Sequence, residues 1–147
     1  MWRLAIVAAL LAVAVGPGMA AAQEGCPAEA SSPEETASIL FAEYLAGGAW
    51  DSAYEVLHPE AQLRILRPAF AAMHQTRAVV GPLLDVEVFP ARVSPGWTWG
   101  VTGLRFTNVA EVPVRFVRGV GFGIAPTIEM VPLVLLNGCW RWLPPPV

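Results

Sequence analysis

The sequence predicts an α+β domain, with N-terminal helices packed on one face of a mainly antiparallel sheet. Three observations predict it. Apolar residues recur every three or four positions through the first half after residue 32, the helical period. From Leu83 onward the chain turns to β-branched and aromatic runs broken by Pro, Gly and Asn, as strands are. Helices first and strands afterwards, without alternation, argue against a parallel βαβ sheet.

The chain has 147 residues, which sets a prior of one domain. Its first stretch has the three parts of an export signal. Arg3 is the positive region, Leu4 to Val15 the uncharged apolar core, and Gly16-Pro17-Gly18 the helix breaker. Ala20-Ala21-Ala22 places small residues where a signal peptidase reads them, so cleavage near Ala22 is expected. Retention as a membrane anchor is the competing reading. The continuous core is short for a span of roughly 20 residues, and Gly-Pro-Gly would interrupt it, which favours export. The expected organisation is therefore a signal peptide over 1–22, a leader over 23–32, the domain over 33–143 and a Pro-rich tail over 144–147.

Each element has its own signal. In "SSPEETASILFAEYLAGG", Ser32 suits the N-cap, Pro33 the first helical position, and Glu35 completes a Ser-x-x-Glu capping box. Ala37, Leu40, Phe41, Tyr44 and Leu45 form the apolar face, and Gly47-Gly48 ends the helix. A second helix is expected from an Asp51 N-cap, with a break at His58 because Pro59 disfavours helix there. Two more pieces follow, over about 60–66 and 68–75. Five strands are expected, drawn from "LLDVEVFPARV", "WTWGVTGLRF", "VPVRFVRGVGFG" and "TIEMVPLVLLNGCWRWL". The last two are joined by Asn137-Gly138, a strong two-residue hairpin signal. Leu84, Val86 and Val88 should share one face of the first strand, with Asp85 and Glu87 on the other. The run from Ile128 to Leu136 is apolar on both faces, so one side of the sheet wants a cover, and a second subunit is the simplest.

Composition excludes several classes. Nine basic residues, all arginine, against twelve acidic give a net charge of −3 and no basic patch for nucleic acid. Two histidines and two cysteines lack ligand spacing, so no metal and no cofactor is expected. "RGVGFG" is followed by strand rather than helix, so it reads as sheet curvature or a bulge, not a phosphate loop. Trp97 and Trp99 would share a strand face with Val101, Gly103 and Arg105, as core packing or as a stacking platform.

"FAEYLAGGAWDSAYEVLHPEAQ", "RPAFAAMHQ" and "VPLVLLNGCWRWL" together resemble the first two helices, the third helix and the closing hairpin of the nuclear transport factor 2-like (SnoaL-like) superfamily. The resemblance spans Pro33 to Leu143 and rests on pattern and order. It implies a cone-shaped fold with a curved sheet and a pocket between helices and sheet. It leaves function open between two readings. One is an exported small-ligand or protein-binding accessory module, and the other an isomerase, cyclase or dehydratase acting on a small apolar substrate through a pocket carboxylate. The pocket candidates are Tyr54, His58, Trp99, Arg105 and Glu129. Asp85 and Glu87 read as a solvated sheet face, and His74 as a dipole partner near a helix end. Expected partners are a small apolar ligand, a protein, or a second copy through the sheet face. An exported chain with two cysteines this far apart favours one internal disulfide, Cys26 to Cys139.

Overall fold

The computed structural model describes residues 25–28 and 30–145. The expected signal peptide, the start of the leader and the end of the Pro-rich tail lie outside the described residues. The architecture is α+β: four helices, α1 Pro33–Ser38, α2 Trp50–Glu55, α3 Pro59–Gln62 and α4 Arg67–Val80, precede seven strands. These are β1 Leu83–Val88, β2 Arg92–Ser94, β3 Trp97–Thr98, β4 Arg105–Phe106, β5 Val109–Val120, β6 Gly123–Leu136 and β7 Cys139–Trp142. The main sheet is antiparallel in the order β1-β5-β6-β7, with β2 also on β5, and it curls as a half-barrel around the helices.

The local chemistry explains most boundaries. Ser32 Oγ accepts from the Glu35 N–H at 3.1 Å, capping α1. The return arm differs from a standard capping box, because the Glu35 carboxylate accepts from the N–H and hydroxyl of Ser31 instead of Ser32. α1 continues into a π-helical segment, Ile39–Leu45, and Gly48 leaves the helix at φ +76°, a conformation that favours glycine.

α2 begins two residues earlier than an Asp51 N-cap predicts, at Trp50 with Ala49 as N-cap; Asp51 lies in the first turn instead, where its charge suits the helix dipole. The break at His58 forms, and it does more than end a helix. Its N–H donates to Trp142 O and the Trp142 N–H donates to Val56 O, both at 2.8 Å, so residues 56–58 extend the sheet beyond β7. α3 is shorter than expected. α4 runs five residues past Gln75, because no breaker intervenes before Gly81-Pro82.

Three strand expectations are corrected. "WTWGVTGLRF" is a small hairpin, not one strand: β3 pairs β4, and Gly103 at φ +72° turns the chain between them. Val101 and Gly103 therefore sit in the turn and do not continue a face from Trp97. The glycines of "RGVGFG" serve a hairpin as well, since Val120 pairs with Gly123 and Gly121 turns at φ +53°. In β1 a register shift between Leu83 and Asp85 pushes Leu84 out to solvent and lets Leu83 pack on the core.

Asn137 and Gly138 both have positive φ, 52° and 81°, the signature of the expected two-residue turn. One residue on, Cys139 is bonded to Cys26 (S–S 2.05 Å), tying the leader to β7 across 113 residues of sequence. The apolar run of β6 is buried only from Val131 to Val134; Ile124, Ile128 and Met130 are exposed.

Candidate functional site

Between the helical layer and the inner face of the sheet lies a cleft of about 300 Å³. Its helical wall repeats at the helical period. Phe70, Met73, His74 and Arg77 of α4 stand at i, i+3, i+4 and i+7, one stripe of a single helix. Phe41 and Leu45 of the π-helical segment and Trp50 at the start of α2 complete that side. The sheet wall follows the two-residue period of a strand. Phe116 and Arg118 face it from β5, and Glu129 and Val131 from β6, with Met130 between them also reaching the lining. Trp142 closes the base, and Pro144 and Pro145 run along one margin.

The aromatic rings form a connected set. Phe41 meets Phe116 edge-on at 4.9 Å and Trp142 at 5.4 Å, while Phe70 meets Trp142 at 6.4 Å. Such pairs contribute roughly 0.5–1.5 kcal/mol each beyond their burial and stiffen the wall. His74 belongs to this set, with Phe70 at 4.4 Å and the Trp50 ring stacked at 6.1 Å. It is mid-helix and 8 % exposed, a different place from the helix end where the sequence put it. Its Nε2 is buried without a hydrogen-bond partner among the described residues. Burial pushes its pKa down to about 4, and the positive charges of Arg77 and Arg118 push the same way. The imidazole is therefore neutral at pH 7.

Charge is segregated along the cleft. Arg77 lies in the last turn of α4, and Gly81 N–H donates to its carbonyl. Arg118 lies beside Gly119, whose N–H donates to Pro82 O just beyond that helix. Both side chains line the cleft, and neither has an acidic partner within 4.0 Å among the described residues. Glu129 is set apart. It pairs with Val114, four residues back from Arg118, about 13 Å by strand rise.

The sequence candidates fall in different places. Glu129 lines the cleft and is exposed at its rim. Tyr54 is buried under α4, its hydroxyl donating to Ile65 O at 2.9 Å and its ring meeting Phe70 edge-on. His58 caps α3 through Nδ1, which accepts from Glu60 N–H, and lies edge-on to Phe106. Burial lowers its pKa, the nearby Glu60 charge opposes this, and Arg141 adds to it. Trp99 is 1 % exposed, and its indole N–H donates to Pro144 O at 2.8 Å. It anchors the segment that borders the cleft without entering it. Arg105 packs beside Gly96, away from the cleft. Asp85 and Glu87 stand exposed on the opposite sheet face, both reaching Arg115, at 3.9 and 3.2 Å. Among the described residues no group of three His, Cys, Asp or Glu side chains is placed to hold a metal ion. No helix among them is long and apolar enough to cross a membrane.

No protein-family model and no curated protein matches the chain. Among solved structures, the chain is similar to a SEC-C motif containing protein from Rhodopseudomonas palustris. The TM-score is 0.53 at 19 % identity, over 76 % of this chain and 75 % of that one. At that identity the likeness concerns the fold alone.

Proposed function

We propose that this chain is an exported binding module of nuclear transport factor 2-like type, whose cleft holds a small apolar ligand. The observation that carries the reading is the cleft itself. It has an aromatic and aliphatic wall interrupted by His74, Arg77, Arg118 and Glu129, and its volume of about 300 Å³ is at the low end of the range for small-molecule sites. An internal disulfide fits an oxidising compartment and supports export.

The enzymatic alternative needs a proton-transfer group tuned near neutral pH. Glu129 is an exposed rim carboxylate without Tyr54 or His58 beside it. His74, with its pKa near 4, is a weak proton acceptor at pH 7. Both observations favour binding over catalysis. The test is a fluorescence titration with N-phenyl-1-naphthylamine, a neutral apolar probe. Saturable 1:1 binding is expected, and Val131→Trp, which fills the cleft, should weaken it tenfold or more. Absence of saturable binding to the folded protein would rule the reading out.

A second copy remains the proposed partner for the sheet. β7 covers β6 only over Leu133–Leu136, so the earlier part of β6 has an open edge with Ile124 and Ile128 exposed beside it. Sedimentation of the mature protein should give a dimer that Ile128→Lys converts to monomer. A wild-type monomer at high micromolar concentration contradicts self-association.

A further inference from the structure

The cleft is lined by charged as well as apolar side chains. Arg77 lines it from α4 and Arg118 from β5, and the positive charge of both is felt at His74 in the same lining. Arg67 pairs with Asp51 and Glu55, and Arg115 with Asp85 and Glu87, whereas neither Arg77 nor Arg118 has an acid within 4.0 Å among the described residues. Arg118 instead lies over the Phe116 ring, 5.6 Å from its centre. Two guanidinium groups lining one cleft, neither in an ion pair among the described residues, are matched to an oxyanion, because their planar donors pair with its oxygens. Inside the same cleft His74 Nε2 is buried without a hydrogen-bond partner among the described residues, an unfavourable state that a bound polar group would relieve. The polar features ask for a polar group on the ligand, and the aromatic wall asks for an apolar body.

We infer that the cleft takes an anionic amphiphile, with an oxyanion head between Arg77 and Arg118 and an apolar body laid along Met73, Phe116 and Trp142. This rests on the cleft being a binding site. It names the ligand class, which that reading leaves open. Glu129 lines the same cleft four residues along the sheet from the level of Arg118, so it repels the head away from its own side and sets the orientation.

The experiment is displacement of N-phenyl-1-naphthylamine from the mature protein at pH 7.5 by 1-octanol, octanoate and octyl phosphate. Octanoate or octyl phosphate should displace the probe at a concentration at least tenfold below that of 1-octanol; whichever acts lower identifies the head. Arg77→Gln and Arg118→Gln should each cut that preference threefold or more, read within each variant as the ratio of the 1-octanol to the anion displacement concentration, so that any change in probe affinity cancels. Arg77 is exposed and Arg118 half-buried, so neither change threatens the fold. Arg115→Gln removes the same charge from the opposite sheet face and should leave the preference intact. If the probe binds but octanol matches both anions, the anionic head is overturned and the binding reading stands. If Arg115→Gln lowers the preference as much as the cleft variants do, overall charge is responsible and the placement is wrong. If the probe itself does not bind, both fall.

Discussion

Replacing Cys26 and Cys139 together by serine lowers the unfolding free energy by roughly 2–5 kcal/mol. The bridge spans 113 residues, and a loop of that length gives about 4–5 kcal/mol in the chain-entropy model, less any residual order in the unfolded chain. Its position adds to the effect. Cys139 opens β7, the strand that pairs with β6 and, through Trp142, with residues 56–58. Cys26 lies just ahead of α1, whose helix supplies Ala37 to the core and leads into Leu40 and Phe41. Without the bridge, the leader is held by weaker contacts, such as the Tyr44 hydroxyl donating to Pro27 O at 3.1 Å. Urea denaturation of the double variant against wild type measures the loss. A change below about 1 kcal/mol would mean the bridge is not a main staple. Two free thiols, or an intermolecular link, in the exported protein would remove the basis of the prediction.

His74 sets the second large effect, a dependence of stability on pH. An unfolded histidine titrates near 6.5, whereas burial and the charges of Arg77 and Arg118 hold the folded one near 4. Below pH 6.5 the unfolded chain takes up a proton that the folded chain refuses. Stability from this group is therefore complete above pH 6.5, falls as the pH drops toward 4, and then levels. The full swing is on the order of 3 kcal/mol. His58 is also lowered and acts in the same direction, so wild type alone does not isolate His74. Glu34 and Glu35 are held below the carboxylate value of 4.5 by hydrogen bonds, chiefly from the Ala91 and Ser31 N–H groups, and their loss falls at lower pH. Glu129, on β6, is the acid that shares the cleft with His74 and the two arginines. His74→Phe should keep the ring contacts with Phe70 and Trp50 and flatten the curve between pH 4 and 6.5. A variant as steep as wild type over that range would locate the titration elsewhere.

Features set by neighbouring residues were legible in the sequence. The Ser32 cap, the break before Pro59 and the Asn137-Gly138 turn each depend on two to four consecutive residues and on backbone geometry that those residues restrict. The disulfide was legible for a different reason: two cysteines leave only one internal pairing. "WTWGVTGLRF" misled because its alternation suits a strand, and only the positive φ at Gly103 shows the turn. The cleft was hardest to see. Arg118 and Glu129 meet the helices only through the register of β5 on β6, which no local pattern encodes. His74 carried a usable signal. Phe70, Met73, His74 and Arg77 make a helical stripe, but it is complete only when α4 extends past Gln75 to Gly81.

Ligand binding in the cleft between α4 and the inner sheet face, as proposed, would be felt by the tryptophans that line it. The tryptophans allow that to be read site by site. Trp50 and Trp142 line the cleft, Trp99 is locked onto Pro144 O, and Trp140 stands outside the lining on β7. The deciding measurement is the set of tryptophan indole N–H resonances by NMR during titration with N-phenyl-1-naphthylamine. Progressive, saturating shifts are expected at Trp50 and Trp142, with Trp99 and Trp140 nearly still. Shifts at Trp140 with Trp50 and Trp142 unmoved would contradict binding in the cleft.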